Sequence, residues 1–188
     1  PSQNNTYTYR LALNFLFFFL VIYSYYIAKP IRNSLFLEWL GPAQLPAVYL
    51  FSSLLTLIAA IAFEKLLSRY NSGKVLSLCL VIFTLVLVLF WLALETGKQP
   101  ATLSLLLYVF ISLFGVCAPT IFWATCNDTF SWEEGSRAYG TIGIGGILGG
   151  LFGGKTTELL APIVGTERLL ILSAAILCLT LPLPSLSL

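Results

Sequence analysis

The sequence contains little charge, no histidine and no methionine. Ten basic and eight acidic residues make up 10% of the 188-residue chain, whereas a soluble domain carries roughly 25% charged residues. This composition excludes a soluble enzyme and a disordered chain, and the lack of a basic stripe excludes nucleic acid as a partner. Without histidine, a plausible serine triad or a cluster of metal ligands, we expect no enzymatic activity, no cofactor and no metal.

Long apolar runs take the place of charge. Hydrophobic types reach 58% of the residues, and five stretches of 18 residues or more carry no charge, which is about the length that a helix needs to cross a bilayer. We therefore predict an all-α membrane protein, a single bundle of six transmembrane helices over residues 1–188, in contact with the lipid bilayer. The predicted spans are about 10–32, 43–66, 74–95, 100–126, 137–159 and 167–181, and residues 127–135 are predicted to form a polar, acidic loop.

The basic residues of the short loops bear on orientation. Placing the N-terminus in the cytoplasm gives five lysines and arginines on each side, which is a tie by the positive-inside rule. Lys29 and Arg32 directly adjoin the first span, and leaving them out gives five inside against three outside. This count favours both termini in the cytoplasm.

Polar residues of the first span are spaced along one helical stripe. Asn14, Tyr25, Lys29 and Arg32 follow one another at intervals of 11, 4 and 3 residues, so they share a face if the helix continues through Pro30. Two cations on one face of a membrane helix suit an anionic ligand such as a phosphate or a carboxylate. The alternative is a helix that ends at Ala28, with both cations reaching to the membrane interface.

The fifth span is rich in glycine. Two rows of glycines recur every fourth residue, which allows the backbone of another helix to approach closely. The candidates for this packing are Gly145, Gly146, Gly149, Gly150 and Gly153. Residues 149–156 also match the GxxxxGK[ST] phosphate-loop pattern, but an apolar helix precedes them where that motif needs a strand, so we interpret them as the end of the fifth span.

Several segments resemble the ATP/ADP antiporter family of nucleotide transporters, which is related to the major facilitator fold. The more specific block contains FWA at 122–124, NDTF at 127–130, EGSR at 134–137, YG at 139–140, and the glycines at 143, 145, 146, 149 and 153. A second match is KPIRN at 29–33, with Asn33 where relatives commonly have an acid. Together the matches span most of the chain.

The resemblance implies the N-terminal six-helix half of a twelve-helix transporter that exchanges nucleotides such as ATP and ADP by alternating access. Its partner would be a second six-helix half, in the same polypeptide, in an oligomer or in another subunit. Such a protein is expected in a bacterial inner membrane or an organelle envelope. The alternative is an accessory membrane subunit that kept the bundle and lost transport.

The resemblance also implies roles for particular residues. Lys29 and Arg32 would hold phosphate oxygens of the anionic substrate, and Asn14 and Tyr25 would line its route. Residues of the loops would shape a cytoplasmic gate: Arg69, Asn127, Asp128, Glu134 and Arg137. The basic link that holds Arg69 is equally explained by positive-inside retention.

Overall fold

The protein is described by a computed structural model that covers residues 2–97 and 100–183, and it consists of helices joined by short turns there. Lys98, which entered the orientation count, lies outside these described residues. A short 3-10 turn, Pro42–Gln44, precedes the second of six helices. The helices are α1 (Ser2–Leu40), α2 (Leu45–Leu67), α3 (Ser72–Glu95), α4 (Pro100–Thr129), α5 (Trp132–Val164) and α6 (Leu169–Thr180).

Four helical segments of the described chain are long and apolar enough to cross a membrane. They are Asn5–Leu40, Pro42–Leu67, Ser72–Glu95 and Pro100–Thr129. The predicted class, a multi-pass helical membrane protein, is thereby confirmed. Glycines dilute the apolar character of α5, and the 12 residues of α6 extend only ~18 Å, less than the ~30 Å of a bilayer core. Spans five and six remain predictions.

The first helix is longer than predicted. We expected a span at 10–32, but α1 runs from Ser2 to Leu40 without interruption at Pro30, a length of ~58 Å at 1.5 Å per residue. Residues 2–9 are polar, and residues 33–40 follow the charges of Lys29 and Arg32, so the charge-free run used for the prediction covered neither segment. The alternative of a helix that ends at Ala28 is wrong, and Lys29 and Arg32 lie within a continuous helix.

The predicted acidic loop at 127–135 is also wrong. Helix α4 continues through Thr129 and α5 begins at Trp132, so only two residues separate them. Ser131 caps α5: its hydroxyl accepts the Glu134 N–H at 3.4 Å, and Glu134 Oε2 accepts the Ser131 N–H at 3.1 Å. This reciprocal capping box satisfies two backbone donors that a helix start leaves free. The acids of this segment therefore stabilise a helix start instead of forming a loop.

Helix α1 lies at the centre of the bundle. It packs most extensively against α5, and it also packs against α4 and α6, while α3 packs against α4 and α6 and α2 packs against α4. One apolar core joins these helices, with Phe17, Phe114 and Phe122 among its fully buried rings. Helix α1 therefore contacts three other helices, and charged side chains on those faces lie between helices.

Glycines bring the backbones of α1 and α5 into direct contact. A Cβ added at Gly145 would lie 2.8 Å from the Phe15 carbonyl oxygen, and one at Gly153 would lie 2.7 Å from the Tyr23 carbonyl oxygen. Gly149, between them, faces the Phe19 carbonyl oxygen in the same way. Real Cβ atoms do not come this close, so this row admits only glycine.

The second row of glycines has a different environment. Gly146 faces the Phe18 ring, and a Cβ at Gly150 would lie 3.4 Å from the Tyr26 ring, an ordinary contact. Gly154 and Gly143 have open space where a Cβ would be. The row that contains Gly145 therefore brings the two backbones together, Gly146 is buried against the Phe18 ring of α1, and open space is found only at Gly143 and Gly154 among these glycines.

Two serines join α1 to α6. The Ser24 and Ser173 hydroxyl oxygens lie 2.8 Å apart, Ser24 Oγ donates to the Ser173 carbonyl at 2.9 Å, and Ser173 Oγ donates to the Ser24 carbonyl at 3.0 Å. Both residues are completely buried. Small hydroxyl residues at a helix crossing combine close approach with polar contacts inside a membrane.

Candidate functional site

Arg32 is a buried cation at the contact between α1 and α4. The residue is only 7% exposed. Its guanidinium lies 4.5 Å from the centre of the Tyr108 ring. Nη1 donates to Ser112 Oγ at 2.5 Å and to the Tyr108 carbonyl oxygen at 3.4 Å, while the buried Nε has no partner. Within residues 2–97 and 100–183, no carboxylate lies within 4.0 Å of this guanidinium.

Helix α4 supplies the neutral partners of Arg32. Tyr108 and Ser112 are one turn apart on the same face, and Ser112 Oγ donates its proton to the Tyr108 carbonyl at 2.8 Å. The Ser112 oxygen is thereby left as an acceptor towards Arg32. The Tyr108 ring is held by Phe36, with ring centroids 4.9 Å apart, and by Tyr49 of α2 at 6.0 Å. The position of Arg32 is therefore set by three helices.

Lys29 lies one turn before Arg32 and is half-buried. Its ammonium is 5.2 Å from the centre of the Tyr26 ring and 5.9 Å from that of Tyr25, distances that allow cation–π attraction. In the described chain, Lys29 also has no carboxylate within salt-bridge distance. Two positive charges without acidic partners therefore lie on adjacent turns of one helix.

Tyr25 fits against α4 beside these cations. Its ring occupies the space above Gly115, where a Cβ would come within 2.5 Å of it, and it meets Phe114 edge to face at 5.9 Å. The structure therefore brings together three of the four predicted substrate residues: Tyr25, Lys29 and Arg32. They form what we call the cationic site, together with Tyr108 and Ser112.

The structure does not bring Asn14 to the cationic site. Asn14 is 18 residues before Arg32, ~27 Å along the helix, and it is buried against the other end of α4. Its amide donates to the Arg10 carbonyl at 2.9 Å and its oxygen accepts the Cys126 thiol at 3.7 Å. These contacts satisfy Asn14 within the protein, so its role in this structure is to join α1 to α4.

The predicted gate residues fall on two separate connections. Arg69 is exposed in the turn between α2 and α3. Asn127 and Asp128 lie in the last turn of α4, where Asn127 accepts the Tyr139 hydroxyl at 2.7 Å, and Arg137 is exposed in the second turn of α5. The structure thus brings Asn127, Asp128, Glu134 and Arg137 to the α4–α5 junction, with Arg69 on a different connection.

Arg10 joins the start of α1 to the α4–α5 junction. Its guanidinium donates to the Thr129 carbonyl, lies 5.2 Å from the centre of the Phe130 ring and is 3.5 Å from a Glu134 carboxylate oxygen. The pKa of Glu134 is lowered below its ordinary value. The largest cause is the hydrogen bond from the Ser131 backbone N–H, followed by the hydrogen bond with the Ser131 side chain and then by the Arg10 charge. The carboxylate of Glu134 is therefore ionised at neutral pH and holds this end of α1.

Sequence reasoning missed Arg10, Tyr108, Ser112 and Tyr49. Arg10 entered only the count of positive charges. Tyr108 and Ser112 carried a detectable signal, since they are two polar residues one turn apart within the charge-free run 99–127. Recognising them as partners of Arg32 requires the antiparallel alignment of α1 and α4, which pairs later residues of one helix with earlier residues of the other.

The phosphate-loop pattern at 149–156 lies inside α5. Gly149 and Gly153 face α1, and Thr156 Oγ1 lies 2.9 Å from the Tyr23 hydroxyl oxygen. Lys155 pairs with Glu158 on the same helix at 2.9 Å. A continuous helix gives these residues none of the loop geometry that wraps a phosphate chain.

Comparisons with family models, with curated proteins and with solved structures gave no significant match. The fold and the site therefore define a class only: a membrane-embedded helical protein in which a buried arginine lies between two helices, with no carboxylate of the described residues within 4.0 Å.

Proposed function

We propose that this chain is one half of a membrane transporter that exchanges organic anions, nucleotides such as ATP and ADP among them, by alternating access. The observation that supports this proposal is the burial of Arg32 without an acidic partner. The choice of a nucleotide as the substrate rests on the resemblance of the sequence to the ATP/ADP antiporters. The cationic site alone would suit any substrate with a phosphate or carboxylate group.

The energetics of Arg32 favour an anionic ligand. A charged residue at membrane depth costs roughly 3 kcal/mol even on the lenient scale derived from membrane insertion. Arg32 lies eight residues from the end of α1 at Leu40, ~12 Å along the helix. Its carbonyl, hydroxyl and ring partners are neutral and leave its charge unbalanced. A bound phosphate or carboxylate would balance that charge and accept two hydrogen bonds from the planar guanidinium.

Lys29 would add a second charge from the adjacent turn. Two cations would match the double charge of a terminal phosphate better than that of a single carboxylate. In this proposal the substrate lies between the cationic site and a second six-helix half, and both halves move about it. Both termini of this half would then lie in the cytoplasm.

Exchange in proteoliposomes tests the proposal. Vesicles containing the complete transporter and loaded with ATP would take up labelled ADP. Arg32→Ala should reduce the uptake rate on the order of 100-fold, the effect of losing a buried charge partner, and Lys29→Ala should reduce it less. Lys155→Ala is the matched control, because it removes an exposed lysine that already pairs with Glu158. Uptake that is unchanged in Arg32→Ala would contradict the proposal.

An accessory subunit without transport is the second candidate. The hydrogen bonds of Arg32 to Ser112 and to the Tyr108 carbonyl favour it, since they already anchor the guanidinium between α1 and α4. In that case Arg32→Ala would lower the thermal stability of the protein, and anions added to the wild type would not raise it. A rise in Tm of the wild type with added ADP, absent in Arg32→Ala, would separate the two candidates in favour of transport.

A further inference from the structure

An apolar cavity lies between α2 and α4, separate from the cationic site. It has a volume of about 240 Å³. Its walls include Ala60, Phe63 and Leu67 of α2 and Val116 and Thr120 of α4, and they are almost entirely apolar. On the same helix, Leu57, Ile58 and Ile61 are about half exposed or more, so the cavity lies beside a surface that suits contact with lipid.

Basic residues follow the cavity at one end. Lys65 is one residue beyond the cavity-lining Glu64, Arg69 is two residues beyond the cavity-lining Leu67, and Lys74 is in the first turn of α3. All three side chains are exposed, and within the described part of the chain none has a carboxylate within 4.0 Å. Glu64 is the one acid of this connection, so the local charge is positive.

We propose that this cavity and these basic residues bind an anionic phospholipid. An acyl chain would occupy the apolar cavity, and the headgroup phosphate would lie against Lys65, Arg69 and Lys74. Basic residues next to a gap between membrane helices attract anionic headgroups. A free phosphate ion would gain nothing from the apolar walls, which is why a lipid suits both parts of the site.

Thermal unfolding in detergent tests this lipid site. Phosphatidylglycerol added to the purified protein should raise Tm saturably, because a ligand that binds only the folded state stabilises it, and phosphatidylcholine should have less effect. The combined variant Lys65→Gln, Arg69→Gln and Lys74→Gln should reduce the phosphatidylglycerol effect to that of phosphatidylcholine. Lys155→Gln with Arg168→Gln is the control, because it removes charge from the other end of the bundle and should leave the response unchanged.

The acyl-chain part needs its own variant. Ala60→Phe places a ring in the cavity and should reduce the Tm rise and the lipid retained in native mass spectra, with all three basic residues intact. Leu57→Phe adds the same ring to the exposed face of α2 outside the cavity and should retain the response. This pair of variants also tests lipid binding in the cavity if the triple variant does not fold.

Several outcomes would overturn the lipid site. Equal stabilisation by phosphatidylcholine or phosphatidylethanolamine would show that the basic residues do not select the headgroup. The same rise with inorganic phosphate alone would show that the acyl chain is not bound. A full response in Ala60→Phe would place the lipid elsewhere. None of these results depends on whether the cationic site transports an anion.

Discussion

Arg10 and Arg32 lie on the same helix and have similar neutral partners. Each guanidinium lies over an aromatic ring, Phe130 for Arg10 and Tyr108 for Arg32, and each donates to a backbone carbonyl of α4. They differ in one partner. Arg10 has the Glu134 carboxylate at 3.5 Å, whereas Arg32 has the Ser112 hydroxyl at 2.5 Å.

This difference separates a structural charge from a candidate ligand-binding charge. The pair of Arg10 and Glu134 is complete within the protein and is partly exposed, so it holds the start of α1 at little electrostatic cost. Arg32 is more deeply buried, and no carboxylate of the described residues lies within 4.0 Å of it. Buried charges in proteins are usually paired, and in the proposed function a bound anion is the partner of Arg32.

The largest expected effect comes from removing the glycine contact that holds α1. Gly149→Leu would drive a side chain into the Phe19 carbonyl and separate α1 from α5, which would disturb both arginines together. We expect a loss of at least about 3 kcal/mol of stability, the upper range for overpacking, or failure to fold. Gly154→Leu is the matched control, because its Cβ would meet open space, and leucine there should improve helix propensity by up to about 1 kcal/mol. Equal Tm values for the two variants would contradict close packing at Gly149.

The next effect comes from giving Arg32 a carboxylate of its own. Ser112→Asp places an acid where the hydroxyl now accepts from Nη1, which would make this site resemble that of Arg10. We expect Tm without ligand to rise, at about 2–4 °C for each kcal/mol gained, and the rise caused by added ADP to disappear. Ser112→Asn has a similar size without the charge and should retain the response to ADP. An undiminished response in Ser112→Asp would contradict an anion site at Arg32.

The smallest effect concerns the pH dependence of Glu134, whose pKa is lowered first by its hydrogen bond from the Ser131 N–H and last by the Arg10 charge. Because the folded state lowers the pKa of Glu134, the stabilisation from its ionised form is present above the unfolded pKa of ~4.3 and is lost as pH falls through the lower folded value. Glu134→Gln should lower Tm at pH 7 and weaken the decline of Tm in acid, while its amide oxygen can still accept the Ser131 N–H.

Glu133→Gln is the control for that pH profile. It removes the same charge from the same helical turn without removing the partner of Arg10. Identical profiles for Glu133→Gln and Glu134→Gln would assign the effect to the general field of the helix start and not to the contacts of Glu134 with Ser131 and Arg10.

The helices were largely predictable from the sequence because apolar runs of this length have few alternatives. The ends were less predictable. Residues 2–9 extend α1 in polar sequence, and residues 33–40 extend it past Lys29 and Arg32, where the charge-free run had already ended. Glu134 was predicted to lie in a loop because the sequence shows the same residue type for a capping acid and for a loop acid. Only the hydrogen bonds with Ser131 distinguish the two.

The candidate site was predictable on one helix only. The spacing of Tyr25, Lys29 and Arg32 placed them on one face of α1 before any coordinates. Their partners could not be assigned, because Tyr108 and Ser112 are 76 and 80 residues away from Arg32 in the sequence and meet it only through the alignment of α1 with α4. Asn14 was grouped with the cations because it lies on the same stripe of α1, although it is 18 residues and ~27 Å before Arg32.

The contact between the main chains of α1 and α5 has a mechanical consequence. Interfaces built from side chains can adjust through rotamer changes, but the row of Gly145, Gly149 and Gly153 offers no rotamers to change. The two helices should consequently move as one rigid body. Any opening of this bundle would then occur by tilting α1 and α5 together against the neighbouring helices.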